Sequence, residues 1–232
     1  MSHPAEAPLA IFDHDGVLVD TLKFHQDAWV AMGRETGVPI TAEVVLETFG
    51  MTNAAILRKL LGEDLTDSEV LAFSDRKEAI YRDLARGRLG LMHGVRGFLD
   101  AMTANGAVLA IGSSGVRANL ELTVAECGLD GRFRAIVAGE DVTRGKPDPQ
   151  VFLLAASRAG VDPSRSIVFE DAPVGVRAAK AAGMQAVGVT SSHDAQALWD
   201  AGADVVVDHL GLCDASDLIG RLSPAGTSES RR

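Results

Sequence analysis

The sequence predicts an α/β fold, a doubly wound parallel sheet of Rossmann-like order with a block of helices inserted after its first strand. Three observations lead there. Six short runs, at residues 9–12, 108–111, 135–138, 166–169, 186–189 and 204–207, are apolar at successive positions, as strands covered on both faces must be. Segments with apolar residues at helical spacing alternate with them, at 95–104, 116–127, 149–159, 174–182 and 195–201, the rhythm of right-handed βαβ units. Between residues 21 and 90 the strand pattern disappears, and four helical segments take its place, at 21–36, 42–49, 53–61 and 66–86.

The punctuation agrees with this order. Gly106, Gly128, Gly160, Gly183 and Gly202 follow the five later helices where C-terminal caps belong, and Pro149, after Asp148, suits a first helical turn. Gly37-Val38-Pro39, Gly50 and Gly62 separate the inserted helices. The expected organisation is a core of residues 1–20 and 91–222 and a helical cap of residues 21–90. Hinges are expected near Asp20 and at residues 90–94, and residues 223–232 form a polar, aperiodic tail read as flexible.

Bulk properties exclude several functions. The 232 residues are 47% hydrophobic, enough for a full core. Lys and Arg number 22 against 32 Asp and Glu, a formal net charge of −10, which argues against a nucleic-acid surface. An anionic substrate would therefore need local cations to recruit it. No apolar run is long enough to cross a bilayer, and residues 1–8 lack the basic start and apolar block of a secretion signal. Cys127 and Cys213, without metal-ligand or CxxC spacing, read as buried thiols in a reducing, cytoplasmic setting. A monomer or weak homodimer with no membrane partner is expected.

The chemistry-bearing residues fall where strands should end, the edge at which open α/β sheets bind ligands. Asp13 and Asp15 follow the first run, Ser113 and Ser114 the second, Lys146 the third by way of Gly139-Glu140-Asp141, and Glu170 and Asp171 the fourth. Each has a structural alternative. Asp15-Gly16 forms a common turn pair, Ser113 or Ser114 a helix cap, Lys146 a solvated loop lysine, and Glu170 with Asp171 the favoured charges of a helix start. Their joint placement is harder to explain that way, because it concentrates repelling carboxylates. Asp13, Asp171 and Glu170 offer oxygen ligands to Mg²⁺, Lys146 would neutralise phosphate and carboxylate, and Ser113 would hydrogen-bond a phosphoryl oxygen.

With these motifs in order, Asp13-His14-Asp15-Gly16, Ser113 after a strand, Lys146 in Gly-Lys-Pro-Asp-Pro, and Glu170-Asp171 in Phe-Glu-Asp-Ala-Pro-Val-Gly-Val, the chain resembles the haloacid dehalogenase-like superfamily in its β-phosphoglucomutase-like, helical-cap branch over residues 9–220. The resemblance implies roles. Asp13 is the nucleophile that forms an aspartyl-phosphate, and Asp15 is the acid and base, its backbone carbonyl also a Mg²⁺ ligand. Asp13, Glu170 and Asp171 complete the metal set, while Ser113 and Lys146 hold the phosphoryl group. Dehalogenating relatives lack the second Asp, so Asp15 argues for phosphate chemistry. His14 stands where the family has an apolar residue; on extended backbone it should point away from Asp13 and Asp15 and serve packing or hydrogen bonding.

Substrate and cap residues follow from the same resemblance: Thr21, His25, Gly50, Thr52, Asn53 and Ser114. His25 and Trp29 share a helix face, His25 helping to hold Asp15 or lying partly exposed, Trp29 in the cap core. The pattern departs from the mutase at Asn53, where an arginine grips the second phosphate, and at Gly115-Val116-Arg117, which replaces Ser, Lys and Asn. Whether Arg58 or Arg117 compensates is left open by the sequence. The expected function is hydrolysis of a small phosphomonoester, such as a sugar phosphate, with Mg²⁺. The alternatives are interconversion of β-glucose 1-phosphate and glucose 6-phosphate and, less favoured, a non-catalytic binding protein.

Overall fold

Leu9, Ala10, Ile11 and Phe12 are all fully buried, because the strand they form has a partner on each side and helices on both faces. In the computed structural model, which describes residues 7–48 and 51–222, this strand is β1 (Leu9–Phe12). With β2 (Val108–Gly112), β3 (Ala135–Val137), β4 (Ser166–Glu170), β5 (Gln185–Val189) and β6 (Val205–Val207) it builds one parallel sheet in the order β3-β2-β1-β4-β5-β6. All six predicted strands are present, with ends displaced by a residue or two, as is usual where a ladder frays.

Alternation along β1 divides the core. Ala10 and Phe12 join one apolar cluster with α5 (Val95–Ala104), α6 (Arg117–Glu126) and α10 (Ala215–Gly220). Leu9 and Ile11 join the other with α7 (Gln150–Ala159), α8 (Pro173–Ala181) and α9 (Ala195–Asp200). In the first cluster Phe12 stacks on Phe169 of β4, ring centroids 4.7 Å apart, and Phe98 of α5 meets both edge-on. The α10 helix was not anticipated. It is six residues long, capped by Asp214, and too short to show a period. Cys213, just before it, is only half-buried, contrary to expectation, while Cys127 is buried.

Between β1 and β2 lie α1 (Leu22–Thr36), α2 (Ala42–Glu47), α3 (Asn53–Leu61) and α4 (Asp67–Ala85). They have their own apolar cluster, centred on Trp29, Met32, Leu57 and Tyr81. Thr66 and Glu69 close α4 with a reciprocal capping box. The end of the predicted 42–49 helix, Gly50 and the 223–232 tail lie outside the described residues. The two connections of the helical insert run side by side. Val19 bridges Leu91 in antiparallel fashion, and the Met92 N–H donates to the Leu18 carbonyl at 2.9 Å.

The stacked aromatic pair ties the strands that carry the polar edge. Phe169→Ala is expected to lower unfolding free energy by about 3–5 kcal/mol, measured by urea denaturation.

Candidate functional site

The parallel register delivers the polar residues to one edge. The Asp13 N–H, one residue past β1, donates to the Phe169 carbonyl at 2.9 Å, and the Ser113 N–H, one residue past β2, donates to the Val137 carbonyl at 3.0 Å. Glu170 is the last residue of β4, and Asp171 follows it. Asp13, Glu170 and Asp171 are all buried and present oxygens within 4.8 Å of one another. Lys146, which precedes a cis proline, reaches into this cluster. Its Nζ lies 3.1 Å from Asp13 Oδ1 and 2.5 Å from Glu170 Oε1. The other oxygen of Glu170 accepts from the Ala172 N–H at 3.0 Å.

Two glycines make room for these carboxylates. A Cβ on Gly16 would lie 2.0 Å from Asp171 Oδ2, and the backbone there has φ +73°, which side chains rarely adopt. A Cβ on Gly175 of α8 would lie 1.7 Å from Glu170 Oε1. Burial, reinforced by the charges of Glu170 and Asp13, pushes the Asp171 carboxyl well above its ordinary range. Burial also raises Glu170, against the pull of Lys146. Burial opposes the charge on Lys146, but Asp13 and Glu170 outweigh it and push its ammonium pKa up. One cation thus faces three carboxylates, and Asp171 Oδ2 is buried without a hydrogen-bond partner. The donor set, all oxygen, and this unsatisfied atom fit a hard divalent cation such as Mg²⁺.

Asp15 sits on the insert side of the cluster. Its Oδ1 accepts from Thr21 Oγ1 at 2.5 Å and lies 2.9 Å from His14 Nδ1 and 3.3 Å from His25 Nε2. Burial opposes its charge, yet the two imidazoles hold the carboxyl well below the usual range. Thr21 stands at the N-cap of α1 but gives its hydroxyl to Asp15 rather than to the helix. The expectation for His14 is half met. It is buried and hydrogen-bonded, its Nε2 2.7 Å from Thr123 Oγ1, but it turns toward Asp15, because the chain is already turning at Gly16.

His25 is fixed from behind. Its ring stacks on Tyr81 at 4.3 Å, and the Lys77 ammonium donates to its Nδ1 at 2.7 Å, which leaves the proton on Nε2, facing Asp15. Burial and the Lys77 charge lower the His25 pKa. Lys77 also donates to Glu78 Oε1 at 2.8 Å. Glu78 accepts further bonds from Asn53 Nδ2 at 2.7 Å and, across to α6, from Asn119 Nδ2 at 2.6 Å. Arg82 donates to the same Asn119 through its Oδ1. Lys77, Glu78 and Asn119 went unnoticed in the sequence. A signal existed, since Lys77 lies seven residues after Val70 and four before Tyr81, on the apolar stripe of α4.

Of the predicted residues, Asp13, Asp15, His25, Asn53, Ser113, Ser114, Lys146, Glu170 and Asp171 line one cavity, with Trp29, Met51 and Ile56 on the insert side. Its volume is about 70 Å³, so the insert side lies close over the sheet edge. Thr52 is not among the lining residues; its hydroxyl caps α3 by accepting from the Ala55 N–H. The helix-cap alternative for Ser113 and Ser114 fails. Ser113 Oγ accepts from the Gly115 N–H, and the Arg117 N–H at the start of α6 donates instead to Glu140. Arg58 pairs with Asp67 and Arg117 with Asp141; neither lines the cavity.

Residues 10–189 match the family model of haloacid dehalogenase-like hydrolases. The chain is 33% identical over 208 residues to validoxylamine A 7'-phosphate phosphatase of Streptomyces hygroscopicus subsp. limoneus, covering 87% of this chain and 93% of that one. It is 32% identical over 182 residues to the fructose-1-phosphate phosphatase YqaB of Escherichia coli, covering 77% and 94%. The crystal structure of β-phosphoglucomutase from Clostridium difficile superposes with a TM-score of 0.81 at 23% identity, covering 93% and 97%, a likeness of fold.

Two predictions follow from the charge balance. Mg²⁺ at a hundredfold its dissociation constant should stabilise the fold by about 2.7 kcal/mol, a rise in melting temperature of roughly 5–10 °C. Asp171→Asn should abolish that rise in a thermal-shift assay. Because the pKa of Asp171 is raised on folding, the metal-free protein should lose stability as pH climbs above the ordinary carboxylate range, and Asp171→Asn should flatten that loss.

Proposed function

Because the chain belongs to the haloacid dehalogenase-like hydrolase family, we propose that it is a Mg²⁺-dependent phosphatase that hydrolyses a small phosphomonoester, a sugar phosphate or similar metabolite, through an aspartyl-phosphate. The observation that carries this reading is the convergence of Asp13, Lys146, Glu170 and Asp171 on one buried point, with Asp15 and Ser113 lining the same cavity.

Asp13 attacks phosphorus, and the bond to the leaving oxygen breaks as Asp15 protonates that oxygen. In the second half, Asp15 takes a proton from water, which attacks the same phosphorus and frees the Asp13 carboxylate and inorganic phosphate. The contacts with His14, Thr21 and His25 favour the ionised, second-half form of Asp15. Substrate binding therefore has to loosen them before the first half. Lys146 and Ser113 face the phosphoryl group. Asp13, Glu170 and Asp171, with the Asp15 carbonyl, would hold Mg²⁺, which supplies charge neutralisation. The helical insert, residues 21–90, acts as the lid that excludes water.

The mutase reading is supported by Thr21 and His25, which hold Asp15 as that branch does. Against it stands the cavity lining, to which neither Arg58 nor Arg117 belongs. No helix among the described residues is long and apolar enough to cross a membrane.

Phosphate release from a panel of sugar phosphates is expected with Mg²⁺ and not after chelation. Asp13→Asn should lower kcat at least about 10³-fold, and Asp15→Asn about 10²–10⁴-fold. No release from any ester, or full activity of Asp13→Asn, would overturn the assignment. A coupled assay that detects glucose 6-phosphate from β-glucose 1-phosphate would replace it with the mutase.

A further inference from the structure

Three groups converge on Asp15, and all three meet the same oxygen. Thr21 Oγ1, His14 Nδ1 and His25 Nε2 lie 2.5, 2.9 and 3.3 Å from Oδ1. The other oxygen, Oδ2, stands toward Ser113 and Gly115, which line the cavity. A Cβ on Gly115 would lie 3.4 Å from Ser113 Oγ and 3.6 Å from Asp15 Oδ2. Oδ1 is therefore the held atom, and Oδ2 is the atom left to carry a proton.

The three groups do not belong to the same body. Thr21 precedes α1 and His25 lies within it, so both are part of the insert. His14 belongs to the loop after β1, and its Nε2 meets Thr123 Oγ1 of α6 at 2.7 Å, a contact made wholly within the core. His14 is 1% exposed and Thr123 0%. An ionised carboxylate only accepts, so the ring proton on Nδ1 points at Oδ1, whichever way the Thr123 hydroxyl is turned. A proton on Oδ2 loosens that bond without breaking it, because Oδ1 still accepts. With about 70 Å³ between insert and sheet edge, the insert has to lift for a phosphomonoester to enter. Lifting draws His25 away from Asp15 and leaves His14 and Thr123 where they are.

We propose that His14, braced by Thr123, is a positioning residue that keeps Asp15 Oδ2 aimed at the phosphoryl centre when the insert is lifted, so that the aspartyl-phosphate is hydrolysed without a closed lid. In that step Asp15 Oδ2 takes a proton from water, the water oxygen bonds to phosphorus, and the bond from phosphorus to Asp13 breaks. The products are the Asp13 carboxylate and inorganic phosphate. This rests on the phosphatase reading and deepens it. The first half answers to the insert and hence to the substrate's identity, while the second answers to the core alone. The alcohol freed in the first half can leave before water attacks, which commits the phosphoryl group to hydrolysis.

Rapid-quench experiments with Mg²⁺ and labelled hexose 6-phosphate give the fraction of chain held as phosphorylated aspartate. At saturation, kcat divided by that fraction is the rate of its breakdown. Acetyl phosphate, which has no sugar for the insert to close on, should give the same breakdown rate within about twofold. His14→Leu should slow breakdown about tenfold or more and raise the phosphorylated fraction, with a smaller change in kcat/KM, which reports the first half. Thr123→Val should act in the same direction by a smaller factor. His14→Asn, whose amide nitrogen can stand where Nδ1 does, should restore most of the rate. Nitrogen NMR of the His14 ring, assigned by its loss in His14→Leu, needs no turnover. It should show a proton on Nδ1, and an Nε2 signal that shifts in Thr123→Val. Breakdown that depends on the donor, equal losses in His14→Leu and His14→Asn, or a bare Nδ1 would overturn the proposal. Absence of any phosphorylated aspartate in the unsubstituted chain would fall on the phosphatase reading, and the ring spectrum would still decide whether His14 holds Asp15.

Discussion

Three carboxylates forced together at the end of a buried sheet are the constraint that the rest of the molecule answers. Asp13, Glu170 and Asp171 arrive at one point because β1 and β4 are hydrogen-bonded neighbours in register, and the chain has no freedom to separate them without breaking that ladder. Lys146 offsets part of the charge, and two glycines remove the bulk that would otherwise hold the carboxylates apart. What remains is an excess of negative charge in a dry place. Such an arrangement destabilises a fold unless a ligand compensates it, and the same imbalance supplies affinity for a cation.

Around that centre, polarity is organised in a second chain of contacts. Asp15 is joined through His25 to Lys77, through Lys77 to Glu78, and through Glu78 to Asn53 and Asn119. Each group in this chain of contacts has at least one partner, which is why so many polar groups are tolerated between the insert and the sheet, while the neighbouring Tyr81 hydroxyl is buried without one. The chain of bonds also couples Asp15 to the inserted helices and to α6.

Much of this was legible in the sequence, for different reasons at different places. The β1 and β4 runs are apolar at every position because both faces are covered, and their polar successors stand out for that reason. Strand ends point to Asp13, Ser113, Glu170 and Asp171, whereas Lys146 lies well past the end of β3 and stands out only through their joint placement and the Gly-Lys-Pro-Asp-Pro motif. Lys77 and Glu78 were hidden by a general habit of helices, which carry charges on their solvated faces; only their place on the apolar stripe of α4 distinguishes them. The turn of His14 toward Asp15 depends on where the extended backbone stops, and alternation arguments fail within a residue or two of that point. Thr52 was assigned to the substrate side, whereas a threonine just before a helix is most simply a cap, as it is here.

The paired crossings at Val19–Leu91 and Leu18–Met92 give the molecule a modular character. Asp13, Ser113, Lys146, Glu170 and Asp171 precede the first crossing or follow the second, and the four helices between the crossings are held there and by the Glu78–Asn119 contact with α6. Changes in these helices that keep Thr21 and His25 on Asp15 and Glu78 on Asn119 leave the ladder that aligns the carboxylates untouched. A scaffold divided in this way can acquire new substrates by remodelling one attachment while its reaction stays the same.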